Sequence, residues 1–274
     1  MKRWLALLML AAAPMHAATP QTWALIVGIS KYQKLPQDLW LQYADSDATA
    51  FAGFLSSAQG GSVPKDHLLV LTNEKATTLA VKEGLHGFLH DRPAKTDTVY
   101  VLIAGHGTVD DTGAYVLTWD SDPENLAKTA LPMAELHSMV ESELSRVGRV
   151  ILLADVCRAA TIAGQKTSSL GAVVEKLGES PGEMLGLMAA RPRELSIEGP
   201  DFGGGHGAFT WSVLQGLQGA ADADHDGVVT AGELIDFVNT DVSKLTGNKQ
   251  HPRDFGNMDN STKLSEPKRG ATNP

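Results

Sequence analysis

The single cysteine of this 274-residue chain, Cys157, ends a largely apolar run that begins at Val150. A second apolar run, residues 98–104, is followed by Gly105-His106-Gly107, which places a histidine fifty-one residues before the cysteine. A neighbouring imidazole can take the proton of a thiol, and the resulting thiolate is the form that attacks a carbonyl carbon. The two residues therefore predict a nucleophilic site in which Cys157 attacks and His106 acts as its base.

Both residues need buried strands to position them, and the apolar pattern predicts such strands. Short apolar runs predict strands at residues 23–29, 67–72, 98–104, 150–157 and 183–189. Apolar positions at helical spacing predict helices at residues 45–59, 78–91, 132–144, 208–219 and 230–245. Strands that alternate with helices predict an α/β fold with a mainly parallel central sheet and helices on both faces. His106 and Cys157 follow two of these strands, at the sheet edge where such folds place their chemistry.

The first eighteen residues have the pattern of a secretory signal peptide. Lys2 and Arg3 precede an apolar stretch, and small residues follow at Ala17 and Ala18. The stretch is shorter than the ~20 apolar residues that span a bilayer, and no later apolar segment approaches that length. The sequence therefore predicts export to the periplasm or the medium and no membrane span after signal removal, with an uncleaved membrane anchor as the alternative.

The remaining chain is acidic and has few features outside the folded pattern. Removing Lys2 and Arg3 takes the formal charge from −9 to −11. Nucleic acid is therefore excluded as a partner, because phosphate binding needs a clustered basic face. We predict one domain over residues 19–246, interrupted by a flexible loop at 158–182, and a polar tail at 247–274.

Several motifs together resemble the caspase-like cysteine peptidases, especially the bacterial members of metacaspase type. The strand-His-Gly and strand-Asp-x-Cys motifs lie at that family's spacing of ~50 residues. Residues 41–48, 190–196 and 206–210 are also similar to family segments, and the likeness covers most of residues 22–245. The resemblance implies the caspase-hemoglobinase fold.

The resemblance also implies roles for individual residues. His106 and Cys157 would be the catalytic dyad, and the backbone N–H groups of Gly107 and Cys157 would form an oxyanion hole. Asp47 and Asp155 match the acidic first specificity pocket, which implies cleavage of a protein or peptide after arginine or lysine. The chemistry of the dyad requires no cofactor.

The residues after the nucleophile depart from the family pattern. Most relatives carry a glycine there, whereas this chain has Arg158-Ala159-Ala160. Arg158 could also pair with Asp155 and reduce the acidity of the pocket. The alternative function is therefore a catalytically degenerate caspase-like binding or scaffold module that is stabilised by calcium. His206 also precedes a glycine, and we expect it to cap the following helix or to lead into it.

Family members are often processed between a large and a small portion. An enzyme that cleaves after basic residues could cut itself at Lys166 or Lys176, both in the 158–182 loop. The alternative for this segment is an ordinary solvated loop.

Residues 222–233 fit the twelve-residue loop of an EF-hand. The pattern predicts a calcium ion held by Asp222, Asp224, Asp226, the carbonyl of Val228, Thr230 and Glu233. Hard oxygen ligands favour calcium over a transition metal. The alternative is an acidic turn that starts a helix without any metal.

Overall fold

A computed structural model describes residues 19–144, 146–158, 182–191 and 194–267, with only the backbone at residues 143, 144, 157 and 158. The strands in this part of the chain are β1 (Thr22–Gly28), β2 (Leu68–Thr72), β3 (Thr98–Val109), β4 (Ala114–Val116), β5 (Leu131–Pro132), β6 (Arg149–Arg158), β7 (Glu183–Met188), β8 (Glu198–Gly199), β9 (His206–Gly207), β10 (Val229–Thr230), β11 (Arg253–Gly256) and β12 (Lys263–Ser265).

The main sheet has the strand order β11-β7-β6-β3-β1-β2. Strands β2, β1, β3, β6 and β7 are parallel, and β11 is antiparallel to β7 at one edge. Strand β4 pairs with the end of β3, and β5 pairs with β4. Two small antiparallel pairs, β8 with β9 and β10 with β12, lie outside this sheet. The predicted α/β fold with a mainly parallel sheet is confirmed.

The helices cover both faces of the sheet. They are α1 (Ala44–Ser56), α2 (Thr78–Glu83), α3 (Leu126–Thr129), α4 (Met133–Leu144), α5 (Ala208–Gln215) and α6 (Ala231–Leu245). Helices α2 and α5 continue into π-helical turns at Gly84–Phe88 and Gly216–Ala220, and short 3₁₀ turns occupy Gln37–Leu39, Lys65–His67, Asn73–Lys75 and Pro123–Asn125. No helix among the described residues is long and apolar enough to cross a membrane.

Alternate residues of the central strands enter two separate cores. On β1, Leu25 and Val27 pack on one face with residues of α2 and α4. Ala24 and Ile26 pack on the other face with Phe51 of α1 and with residues of α5 and α6. Because both faces of the sheet are buried, the strands are apolar throughout, which explains the continuous runs in the sequence.

The C-terminal part of the chain differs from the predicted polar tail. Residues 253–256 form β11 on the edge of the main sheet, and residues 263–265 form β12. The side chain of Phe255 lies against Gly186 of β7, where a Cβ atom would be only 2.0 Å from the ring. These short polar strands pair through their backbones and carry little apolar periodicity, so the sequence pattern does not show them.

Candidate active site

The strand register places the two predicted catalytic residues side by side. In the parallel ladder between β3 and β6, His106 is paired with Cys157, and Ala104 with Asp155. Paired residues on neighbouring strands are about 5 Å apart along the direction of the hydrogen bonds. Both residues lie at the carboxyl ends of their strands, although the side chain of Cys157 is outside the described part of the structure.

The imidazole of His106 is held in one tautomer by a backbone carbonyl. His106 is 8% exposed, and its Nε2 lies 2.7 Å from the carbonyl oxygen of Leu39. Because a carbonyl oxygen only accepts hydrogen bonds, Nε2 must carry the proton, and the neutral ring has its lone pair on Nδ1. Nδ1 is buried and has no hydrogen-bond partner among the described residues. The ring therefore presents a base at Nδ1.

Burial also keeps this base in its neutral form. Burial lowers the pKa of His106 below its ordinary value, and the hydrogen bond to Leu39 opposes that effect. A lowered pKa means that the imidazole is uncharged at neutral pH and is able to accept a proton.

Tyr32 holds the backbone and the ring of the same histidine. Its hydroxyl oxygen accepts the backbone N–H of His106 at 2.7 Å, and the two rings stack with their centroids 5.2 Å apart. A Cβ atom at Gly105 would lie 3.0 Å from that hydroxyl, so glycine leaves room for Tyr32 to approach. A larger residue at position 105 would therefore crowd the hydroxyl of Tyr32.

The loop that carries Tyr32 and Leu39 is itself anchored at both ends. The side-chain oxygen of Asn73 accepts the backbone N–H groups of Ser30 and Lys31, each at 3.0 Å. At the other end, the carboxylate of Glu198 accepts the N–H groups of Gln42 at 2.8 Å and Tyr43 at 3.1 Å. These bonds fix the position of the carbonyl that orients His106.

A narrow pocket of about 20 Å³ next to these residues contains three carboxylates. The structure brings Asp47 of α1 and Asp155 of β6 together in its lining and adds Glu198 of β8, which the sequence analysis did not identify. Asp47 and Asp155 are 2% and 7% exposed, so their charges lie almost out of contact with water. The three carboxylates give this small pocket an acidic lining.

Each of the two predicted pocket carboxylates has its own hydrogen-bond partners. Asp47 lies 2.7 Å from Nδ1 of His206 and accepts the N–H of Gly207 at 3.0 Å. Burial raises the pKa of Asp47 to about 6, against the hydrogen bond from His206 and with a further increase from the charge of Asp155. Asp155 accepts the hydroxyls of Ser196 at 2.6 Å and Thr210 at 2.7 Å.

Burial raises the pKa of Asp155 as well, and the hydrogen bonds from Ser196 and Thr210 oppose the increase. His206 precedes α5, as expected, but its side chain does not cap the helix, whose N-cap residue is Gly207. The imidazole of His206 instead contacts Asp47 and stacks on Trp211, with the ring centroids 5.4 Å apart. His206 therefore contacts Asp47, a carboxylate of the acidic pocket, and its neighbour Gly207 lines that pocket.

The predicted oxyanion-hole residue Gly107 lies next to the dyad. It is paired with Val116 of β4 on one side and with Arg158 of β6 on the other. Its backbone is thus held by two neighbouring strands at the level of Cys157. The side chain of Arg158 and the predicted cleavage positions Lys166 and Lys176 lie outside the described residues.

The loop at residues 222–233 brings together three of the side chains predicted to bind calcium. Carboxylate oxygens of Asp222, Asp224 and Asp226 lie within 4.8 Å of one another. Glu233 accepts the N–H groups of Ala223 and Thr230, and its capping box with Thr230 starts helix α6. These three carboxylates are the clustered part of the predicted ligand set, whereas Glu233 accepts a hydrogen bond from the hydroxyl of Thr230.

The chain is similar to a known protein family, to a named protein and to a solved structure. A family model described as the caspase domain of peptidase C14 matches residues 21–260. A protein named a probable protease from a Desulfuromonadales bacterium is 24% identical over 86% of this chain. The chain spans only 32% of that protein. A crystal structure of a Geobacter sulfurreducens protein has a TM-score of 0.61 and 17% identity, and it covers 90% of this chain and 97% of its own length.

Proposed function

This chain belongs to the caspase-domain family of peptidase C14, and we propose that it is an exported cysteine endopeptidase that cleaves after arginine or lysine. The register that pairs His106 with Cys157 is the observation that carries this proposal. The acidic pocket beside the pair supports the preference for a basic P1 residue, the residue whose carbonyl is attacked.

The proposed reaction uses the lone pair on Nδ1 of His106. Nδ1 takes the proton of the Cys157 thiol, and the sulfur attacks the scissile carbonyl carbon to form a tetrahedral oxyanion. When the C–N bond breaks, the imidazolium returns the proton to the leaving amine and a thioester remains. Water, deprotonated by the same imidazole, then hydrolyses the thioester and restores the thiol.

The oxyanion would be stabilised by backbone N–H groups of Gly107 and Cys157. One such donor is worth ~3 kcal/mol of the activation barrier. A glycine at position 107 has no side chain to prevent the substrate from approaching the backbone. The long strands β3 and β6 hold both peptide units, so the donors need little reorganisation during the reaction.

We expect Asp47→Asn to raise KM for a peptide with arginine at P1 about tenfold or more, because a charge-assisted contact is lost from a buried pocket. The measurement is the hydrolysis of a peptide panel that differs only at P1, with arginine, lysine, the neutral arginine analogue citrulline, and aspartate. Wild-type protein should cleave the arginine and lysine peptides and leave the aspartate peptide intact.

The same carboxylate predicts a pH dependence. Because the pKa of Asp47 is raised to about 6, the carboxylate becomes protonated and neutral as the pH falls through that value. KM for the arginine peptide should therefore rise below pH 6 in wild type, and the rise should be smaller in Asp47→Asn, where only Asp155 and Glu198 remain to be protonated. A preference for aspartate at P1, or an identical pH profile in both proteins, would contradict the proposed pocket.

The leader at residues 1–18 and the loop at 159–181 lie outside the described residues. Export rests on the basic and apolar pattern of the leader. Self-cleavage at Lys166 or Lys176 rests on the proposed specificity for basic residues and on their place after the nucleophile. Both are part of the proposed function of an exported peptidase.

We further propose that the loop at residues 222–233 binds calcium. Calcium would offset the repulsion among Asp222, Asp224 and Asp226 and would stabilise the start of α6. Millimolar calcium should therefore raise the melting temperature by several degrees, and chelator should reverse the effect. Asp224→Asn serves as the matched variant with a weaker site. Equal melting temperatures with calcium and chelator would exclude a structural calcium site.

A further inference from the structure

Gln250 is a completely buried glutamine that follows helix α6 and contacts the segment lining the acidic pocket. Its side chain is 0% exposed. The Oε1 atom accepts the backbone N–H of Ile197 at 2.8 Å. Its Nε2 donates to the carbonyl oxygen of Ala189 at 2.9 Å and lies 3.3 Å from Oγ of Ser196.

The backbone partners determine the orientation of this amide. Oε1 must face the N–H of Ile197, since that group only donates, and Nε2 must face the carbonyl of Ala189, since that group only accepts. Ser196 therefore receives a hydrogen bond from Nε2. Its own hydroxyl proton remains available for Asp155, whose Oδ1 lies 2.6 Å away.

We propose that Gln250 is a positioning residue of the P1 pocket, which fixes the direction of the Ser196 hydroxyl so that Asp155 is presented as an acceptor. The order of donation is Gln250 to Ser196 and Ser196 to Asp155. This inference rests on the proposed P1 specificity, because Asp155 is assigned there to the substrate cation.

Hydrogen bonds to Asp155 favour its ionised form, which is the form that binds a cation. Thr210 donates its hydroxyl to Oδ2 of Asp155, and Ser196 donates to Oδ1. The backbone N–H of Thr210 is a third donor to this carboxylate, which still leaves a lone pair for a guanidinium or ammonium group. A hydroxyl turned the other way would remove one of these donors and favour the protonated, uncharged acid.

Gln250→Glu reverses the donation while nearly conserving shape. A glutamate oxygen in place of Nε2 would accept the Ser196 hydroxyl proton and take it from Asp155. Through-space attraction from the added charge would strengthen the binding of a cation, so weaker binding identifies the hydrogen-bond effect. Gln218→Glu, on an exposed position after α5, adds the same charge without touching the pocket.

The test is calorimetric binding of agmatine, an aliphatic guanidinium, to the full chain and its variants, together with KM and kcat for the arginine peptide. Ser196→Ala and Gln250→Glu should each weaken agmatine binding about tenfold and raise KM similarly, with little change in kcat. The double variant should bind no more weakly than Ser196→Ala alone. Gln218→Glu should bind like wild type.

Ser196→Ala keeps the backbone contacts of Gln250, so the test survives even where Gln250→Glu does not fold. Wild-type affinity in the Ser196→Ala variant, or additive losses in the double variant, would overturn the proposal. Agmatine binding that depends on Ser196 in a protein that cleaves no peptide would instead support the pocket and contradict the proposed peptidase reaction.

Discussion

Replacing Cys157 with alanine is expected to lower peptide hydrolysis at least ~10⁴-fold, to the background rate. The substitution removes the only thiol in the chain and leaves the proposed reaction without a nucleophile. Position 157 pairs with His106 through its backbone, which alanine retains, so the fold should persist. The measurement is the initial rate on the arginine peptide, with melting temperature and circular dichroism as controls for folding.

Cys157→Ser provides a matched comparison because it replaces the thiol with a hydroxyl group of similar size. A serine hydroxyl is far less acidic than a thiol, so this variant should also be nearly inactive. Hydrolysis at the wild-type rate in the alanine variant would exclude Cys157 as the nucleophile. An inactive wild type with intact folding would favour the alternative of a binding or scaffold module.

His106→Ala is expected to reduce kcat about 10³-fold, within the range for loss of a general acid and base. The variant removes the group that takes the thiol proton and later protonates the leaving amine. The matched variant is His206→Ala, which removes another imidazole near the pocket. We expect that variant to affect KM through Asp47 and to leave kcat nearly unchanged, because His206 contacts the pocket carboxylate.

The pH profile of kcat gives a second readout for His106. Catalysis needs the neutral ring, and burial lowers its pKa below the ordinary value. An ordinary histidine titrates near pH 6.5. The pH at which kcat falls on the acid side, measured at saturating substrate, should therefore lie below that value. His106→Ala should lose this limb. An unchanged limb in the variant would show that another group acts as the base.

The parts of the fold that bury apolar surface could be predicted from the sequence. The five parallel strands and the five predicted helices have continuous or periodic apolar patterns, and the structure has a strand or an α-helix in each of these segments. His106 and Cys157 could be predicted as neighbours because parallel strands place their carboxyl ends at one edge. The chain contains a single cysteine, which removes any ambiguity about the thiol.

The groups that orient the site could not be predicted in the same way. A backbone carbonyl such as that of Leu39 can come from any residue, and its role depends on loop geometry alone. Tyr32, Glu198 and Gln250 reach the site across large sequence separations, from segments with no repeating pattern. Glu198 accepts backbone N–H groups, and Gln250 bonds to two backbone groups as well as to the hydroxyl of Ser196. Backbone groups are the same in every residue, so such contacts leave no pattern in the sequence.

The ends of the helices could not be predicted from apolar periodicity either. The predicted helices at 78–91 and 208–219 extend past α2 and α5, which end at Glu83 and Gln215 and continue as π-helical turns. Periodicity cannot separate an α-helix from one such turn, because the apolar residues stay on the same face. Pro132 likewise lies in β5, one residue before α4.

The most direct test of the central claim is the rate at which iodoacetamide alkylates Cys157, measured by mass spectrometry as a function of pH. If His106 takes the thiol proton, wild type should react faster than free cysteine at neutral pH, and His106→Ala should lose most of that advantage. Equal rates in the two proteins, or a thiol that does not react in the folded wild type, would contradict a catalytic pair formed by His106 and Cys157.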